Sequence, residues 1–378
     1  MKYMGSKRVM LTNGLGEAID DAITGATRFV DLFLGAGEVA SFVARRHAVP
    51  VYGVDLQAYS VILAEAIIAR CSPLPWNLVW DEWISRARVI ASRYKPPQVA
   101  RNDKLTRRLV GVMRSWCAEQ VDLPMTRAYG GHYFSPVQAT WIDALRATLP
   151  EEEPNRTIAL ASLISASSQC VASPGHTAQP FQPTRTAAPF LKEAWLRDPL
   201  IRVLSCVKTL AVQHAKKLGA ARIADANEIA DSLTTSDLVF LDPPYSGVQY
   251  SRFYHVLESI ARGHCGEVSG VGRYPHAERR PKSRFCLVTE SEEALDQLLF
   301  LVSVTGASAI LTFPDHECSN GLSGDSVREL AKAHFRVREN SIKSKFSTLG
   351  GRGTGRDKVA KRKARHEACE LMLLLRPK

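Results

Sequence analysis

The segment from residue 28 to residue 55 constrains this chain more than any other. Residues 28–34 are a short apolar strand pattern that runs into Gly35-Ala36-Gly37. An apolar helical pattern follows through Val39, Phe42 and Val43, and residues 50–54 read as a second strand ending at Asp55. Strand, Gly-rich turn, helix and strand make one βαβ unit, which belongs in an α/β sheet. Glycines in such a turn let the backbone approach a ligand, and an acid at the end of the second strand accepts hydrogen bonds from ribose hydroxyls. Taken alone, the pattern suits a dinucleotide as well as it suits S-adenosylmethionine.

Strand patterns return at residues 221–225, 237–241 and 302–313, and in a pair at 335–346 and 369–375. With the two N-terminal strands they predict a seven-stranded α/β fold. Residues 71–220 read differently. Pro73 and Pro75 open a Trp-rich stretch, and basic helical segments without clear strands follow. Ser135-Pro136-Val137-Gln138 has the chemistry of a helix start, with Ser at the N-cap, Pro at N1 and Gln at N3. Residues 173–189 hold four prolines, which suits an ordered loop. The expected division is therefore a catalytic domain of residues 1–70 and 221–378 around a mainly helical insertion, 71–220.

The chain has 378 residues with 49 Lys/Arg against 38 Asp/Glu, a net charge of +11. The excess is clustered: residues 336–365 carry eleven basic side chains against two acids, and residues 86–114 carry nine against one. Clustered positive charge points to a polyanion such as nucleic acid. Eight dispersed cysteines show no metal-ligand or disulfide spacing, so no metal is expected. No apolar run is long enough to cross a membrane, and a cytoplasmic protein without membrane contact is expected.

The two cofactor readings part at Asp242-Pro243-Pro244-Tyr245, directly after the apolar strand 238–241. Two consecutive prolines fix φ near −65° and remove both backbone donors, so the strand end is rigid and offers acceptors only. The Asp242 carboxylate and the Pro243 carbonyl could receive a planar amine, with Tyr245 as an aromatic face for the ring that bears it. Hydride transfer has no use for this device.

Phe33, Gly35 and Gly37, followed later by Asp242 to Tyr245 and preceded by Lys2-Tyr3-Met4-Gly5-Ser6-Lys7, resemble the Dam-type DNA adenine methyltransferases of the alpha arrangement. The resemblance covers about 110 residues, 1–70 and 221–260. It implies a Rossmann-like class I methyltransferase sheet with an inserted, mainly helical target-recognition domain at 71–220. The donor would be S-adenosylmethionine, and the acceptor the 6-amino group of an adenine rotated out of double-stranded DNA at a specific site. It also points to a restriction-modification or phage-defence setting, with a partner from such a system.

Residue by residue, the resemblance gives Tyr3 and Lys7 to the N-terminal cofactor motif. Asp31, Phe33, Gly35 and Gly37 would surround the methionine and sulfonium end, Asp55 would take the ribose hydroxyls, and Asp225 the cofactor adenine amine. Tyr3 stands where Trp is common, and keeps the ring. Phosphate contacts are expected from Arg107, Arg108, Arg279, Arg280, Lys282 and the tail from Arg352 to Arg365, base reading from Gln179, Gln182 and Arg185, and a flank for the flipped base from Tyr250 and Tyr254. His255 and His176 read as packing or loop histidines. RNA adenine and the cytosine 4-amino group remain open as substrates of the same chemistry, and an NAD-dependent oxidoreductase stands as the alternative of another class.

Overall fold

The computed structural model describes residues 7–347 and 365–378. Tyr3 and most of the basic tail, residues 352–364, lie outside the described residues. Among the described residues nine strands form: β1 (Arg28–Asp31), β2 (Val51–Asp55), β3 (Ala220–Ile223), β4 (Asp237–Leu241), β5 (Val268–Ser269), β6 (Tyr274–Pro275), β7 (Ser308–Pro314), β8 (Phe335–Ser347) and β9 (Arg365–Pro377). The fold is mixed α/β with a mostly parallel sheet. The chain forms two compact units, one of residues 34–223 and 249–282, the other of residues 7–33, 224–248, 283–347 and 365–378.

In the second unit β1, β4 and β7 run parallel, and β9 joins β7 antiparallel, with β8 beyond it. Every residue of β4, DLVFL, is buried, as a strand covered on both faces requires. Register between β1 and β4 is pinned where Arg28 faces Asp237: Nε lies 2.8 Å from Oδ1, and the Asp237 carboxylate also receives the Thr234 N–H at 2.7 Å. This fixes which β1 residues reach the strand's far end.

The first unit holds the parallel pair β2 and β3 and a run of seven helices from Trp76 to Val212 that contains no strand. Their core is aromatic and aliphatic: Trp83 donates its indole N–H to the Leu145 carbonyl at 2.9 Å, and Tyr59, Tyr129, Tyr133 and Tyr254 are fully buried. The capping box expected at Ser135 forms, with Gln138 N–H on Ser135 Oγ at 3.2 Å and Ser135 N–H on Gln138 Oε1 at 2.9 Å. Residues 173–187 are irregular, as their prolines require.

Two readings change, and one element was not anticipated. The strand expected at 302–313 begins at Ser308, because Ser291–Val304 is a helix that ends before Gly306, at φ 73°. An apolar run of this length suits either structure, and the left-handed glycine decides. The strand expected to reach Asp225 ends at Ile223, so Asp225 becomes the N-cap of the helix Ala226–Ala230. The short β5–β6 hairpin, with Gly270 at φ 69°, has no alternating apolar pattern that would reveal it. Among the described residues no helix is long and apolar enough to cross a membrane, and no group of three or more His, Cys, Asp or Glu side chains could hold a metal.

Candidate active site

Asp242 is the first residue beyond β4, and its carboxylate is anchored from two sides. Lys7 Nζ lies 3.0 Å from Oδ1, and Thr312 on β7 donates to the same oxygen at 2.9 Å. Lys7, only 5% exposed, also meets Glu370 of β9 at 2.9 Å. Burial alone would lower the Lys7 pKa, but Asp242 and Glu370 hold it raised, so the ammonium is permanent. Burial raises the Asp242 pKa, and Lys7 opposes the shift. With Oδ1 doubly engaged, no donor among the described residues reaches Oδ2 or the Pro243 carbonyl. Both prolines lack an N–H, so the strand end offers acceptors only.

The next peptide is held from behind. Asn320, fully buried, donates its amide to the Pro244 carbonyl at 2.9 Å and to the Phe285 carbonyl at 3.0 Å. Tyr245 is half-buried. In the same unit Asp31 is buried and accepts the Phe33 N–H at 3.2 Å, while the Phe33 ring stands edge-on to Phe285 with centroids 5.1 Å apart. Asp225 takes the Asn227 N–H at 2.9 Å as its N-cap bond.

The Gly-rich turn and Asp55 lie in the first unit. Gly35 and Gly37 adopt φ of 51° and 71°, which side chains resist, and Gly37 N-caps the helix Glu38–Arg46. Asp55 Oδ2 accepts the Gly35 N–H and Oδ1 the Gln57 N–H, each at 2.9 Å. Burial raises the Asp55 pKa to about 6 despite these bonds, and Glu258 adds to the shift. Glu258 itself caps the helix Ala58–Ile68, receiving the Ala58 and Tyr59 N–H groups at 3.1 Å. Gln57 Oε1 is buried without a hydrogen-bond partner.

Of the residues expected to meet nucleic acid, Arg107, Arg108, Gln179, Arg185, Arg279 and Lys282 are exposed. Arg107 and Arg108 open the helix Arg107–Ala118, behind the Thr106 cap. Gln182 is half-buried and accepts from Arg114 at 3.2 Å. Tyr250 packs on Phe253, with centroids 5.8 Å apart, and Tyr254 is core. Arg280 lies over the Tyr274 ring. His255 is 1% exposed among Tyr129, Tyr133 and Tyr274, and burial lowers its pKa to about 4, so it packs as a neutral ring. His176 accepts the Ala178 N–H at 3.1 Å inside its loop.

Sequence reading missed Thr312, Asn320, Glu370 and Glu258. A buried Thr within SAILTFP and a half-buried Glu opposite the apolar register of β7 and β9 are local breaks in strand patterns, and those breaks are the signal. Asn320 and Glu258 leave no comparable mark.

The second unit offers a rigid, acceptor-only strand end, and the first a Gly turn beside an acidic strand end. The sequence model of the D12 class N6 adenine-specific DNA methyltransferases matches residues 3–94 and 209–299, just under half of the chain, and over those residues the chain is similar to that family. It is 26% identical over 281 residues to the modification methylase StsI of Streptococcus sanguinis, covering 72% of this chain and 38% of that protein. It is 25% identical over 275 residues to the type II methyltransferase M.NlaIII of Neisseria lactamica, covering 69% of each. A 76-residue stretch is 37% identical to the type II methyltransferase M.FokI of Planomicrobium okeanokoites, covering 20% of this chain and 11% of that protein. The chain thus spans about two fifths of the StsI methylase and about a ninth of M.FokI.

Proposed function

We propose that this chain transfers a methyl group from S-adenosylmethionine to the 6-amino group of an adenine rotated out of duplex DNA. The observation that carries the reading is the pair of acceptors that no donor among the described residues reaches, Asp242 Oδ2 and the Pro243 carbonyl, on a strand end anchored by Lys7, Thr312 and Asn320. An adenine amine is a weak nucleophile because its lone pair is delocalised into the ring. Donating both N–H bonds to these oxygens favours a tetrahedral nitrogen and stabilises the positive charge that grows on it. The Tyr245 ring gives the extrahelical base a stacking face, a contact worth about 1–3 kcal/mol that offsets part of the cost of unstacking.

S-adenosylmethionine, when bound, supplies the electrophilic methyl carbon. The residues present fit it. Asp55 uses one lone pair on each oxygen for a backbone N–H, the buried Ser60 hydroxyl lies beside it, and lone pairs remain for vicinal hydroxyls; the buried, unpartnered Gln57 Oε1 stands two residues away in the chain. In this reading Gly35 and Gly37 admit the ligand, Asp31, Phe33 and Lys7 with Tyr3 serve its methionine end, and Asp225 serves its adenine. Residues 71–220 form the DNA-reading module, with Gln179, Gln182 and Arg185 at its loop. Arg107, Arg108, Arg279, Arg280 and Lys282 hold phosphates, and Tyr250 flanks the base. The relatives named as modification methylases favour a place beside a restriction nuclease.

Transfer of labelled methyl groups to adenine-containing duplexes tests the reading. Asp242→Ala should abolish transfer, and Asp242→Asn should lower it about 10²–10³-fold, while both bind S-adenosylhomocysteine within a few-fold of wild type. Undiminished transfer by Asp242→Ala would reject the assignment.

A further inference from the structure

Tyr274, on β6, collects two guanidinium groups. Arg252 Cζ stands 4.7 Å from the ring centroid and Arg280 Cζ 5.7 Å. A ring quadrupole attracts one such cation by about 0.5–1 kcal/mol. Two cations within roughly 10 Å repel by about 1–2 kcal/mol at an effective dielectric constant of 20. The ring alone therefore does not explain the pair. No carboxylate relieves it among the described residues: Glu258 is taken by Arg262 and Glu278 stands by His276. Arg280 Nε is buried with no hydrogen-bond partner.

The cations are held in place from below. Tyr274 donates its hydroxyl to the Ala178 carbonyl of the Pro-rich loop, and His255 packs 4.9 Å from its ring. Arg252 lies on the helix Tyr250–Phe253, and the Phe253 carbonyl receives both the N–H and the hydroxyl of Thr177. A guanidinium lying against a ring keeps N–H groups for a two-pronged contact with phosphate oxygens.

We propose that Arg252 and Arg280, set on Tyr274, clamp one backbone phosphate of the DNA. The inference rests on the methylation reading and adds to it the residues that seat the strand. Exposed Arg279 and Lys282 continue the charge along the chain, a row that suits a polymer better than a free anion.

The test uses the full chain and a duplex that it methylates. The Arg252→Gln, Arg280→Gln double variant should bind that duplex about tenfold more weakly at moderate salt, with the salt slope lowered by about one. Its thermal midpoint and its affinity for S-adenosylhomocysteine should match wild type. One neutral methylphosphonate linkage, found by scanning the duplex, should weaken wild type and cost the double variant nothing more, and the double Lys variant should regain the slope. A folded double variant with unchanged affinity and slope, or one that loses as much as wild type at every neutral linkage, overturns the clamp. Wild-type protein that methylates no duplex would instead sink the functional reading itself.

Discussion

At the scale of single residues the chemistry turns on how much of each acid is already spent. Asp242 gives Oδ1 to Lys7 and Thr312 and keeps Oδ2, whereas Asp55 gives one bond from each oxygen. The Asp242-Pro243-Pro244-Tyr245 motif was legible because two prolines after an apolar strand dictate a rigid turn. Its supports were not, since Lys7 and Glu370 meet across 363 positions and no local pattern encodes that. The raised pKa of Asp55, about 6, yields a prediction. Ligand hydroxyls donate to the charged carboxylate, so binding should be full above pH 6 and weaken as pH falls through it, by up to about tenfold per pH unit. Calorimetric titration with S-adenosylhomocysteine from pH 5 to 8 checks this, and Asp55→Asn should bind more weakly with a flat profile. The same protonation makes Asp55 a mild stability cost, growing as pH rises from about 4 to about 6.

At the scale of elements, rigidity of the strand end depends on segments that arrive later in the chain. Asn320 lies between β7 and the helix Gly324–His334, and its amide spans two carbonyls that no other donor among the described residues reaches. Asn320→Ala should destabilise the fold by about 1–3 kcal/mol, the cost of orphaned buried acceptors. It should lower the single-turnover transfer rate at least tenfold while cofactor affinity holds. Denaturant titration and rapid-quench kinetics read the two effects separately, and an unchanged rate would mean that the prolines alone set the loop. Strand existence was readable from apolar runs, whereas strand limits were not. Residues 302–304 are as apolar as β7 itself, and only the left-handed turn at Gly306 separates helix from strand. The hairpin that carries Tyr274 was hidden because two-residue strands are too short for any period to show.

At the scale of the whole molecule, the α/β class and the strandless helical stretch followed from pattern alone. The limits of the compact units rest on pairings between residues far apart in sequence, such as Arg28 with Asp237, which no local pattern carries. Cofactor class is likewise a property of the whole, since a Gly turn followed by an acidic strand end serves a dinucleotide as readily as S-adenosylmethionine. A ligand that binds only the folded state stabilises it by about 2.7 kcal/mol at a hundredfold excess over its dissociation constant. S-adenosylhomocysteine at that excess should therefore raise the unfolding midpoint by several degrees, and NAD at the same concentration should leave it in place. Scanning calorimetry of the full chain with each compound decides. A shift with NAD and none with S-adenosylhomocysteine would transfer the Gly turn and Asp55 to a dinucleotide and leave the acceptor-only strand end without a donor to face.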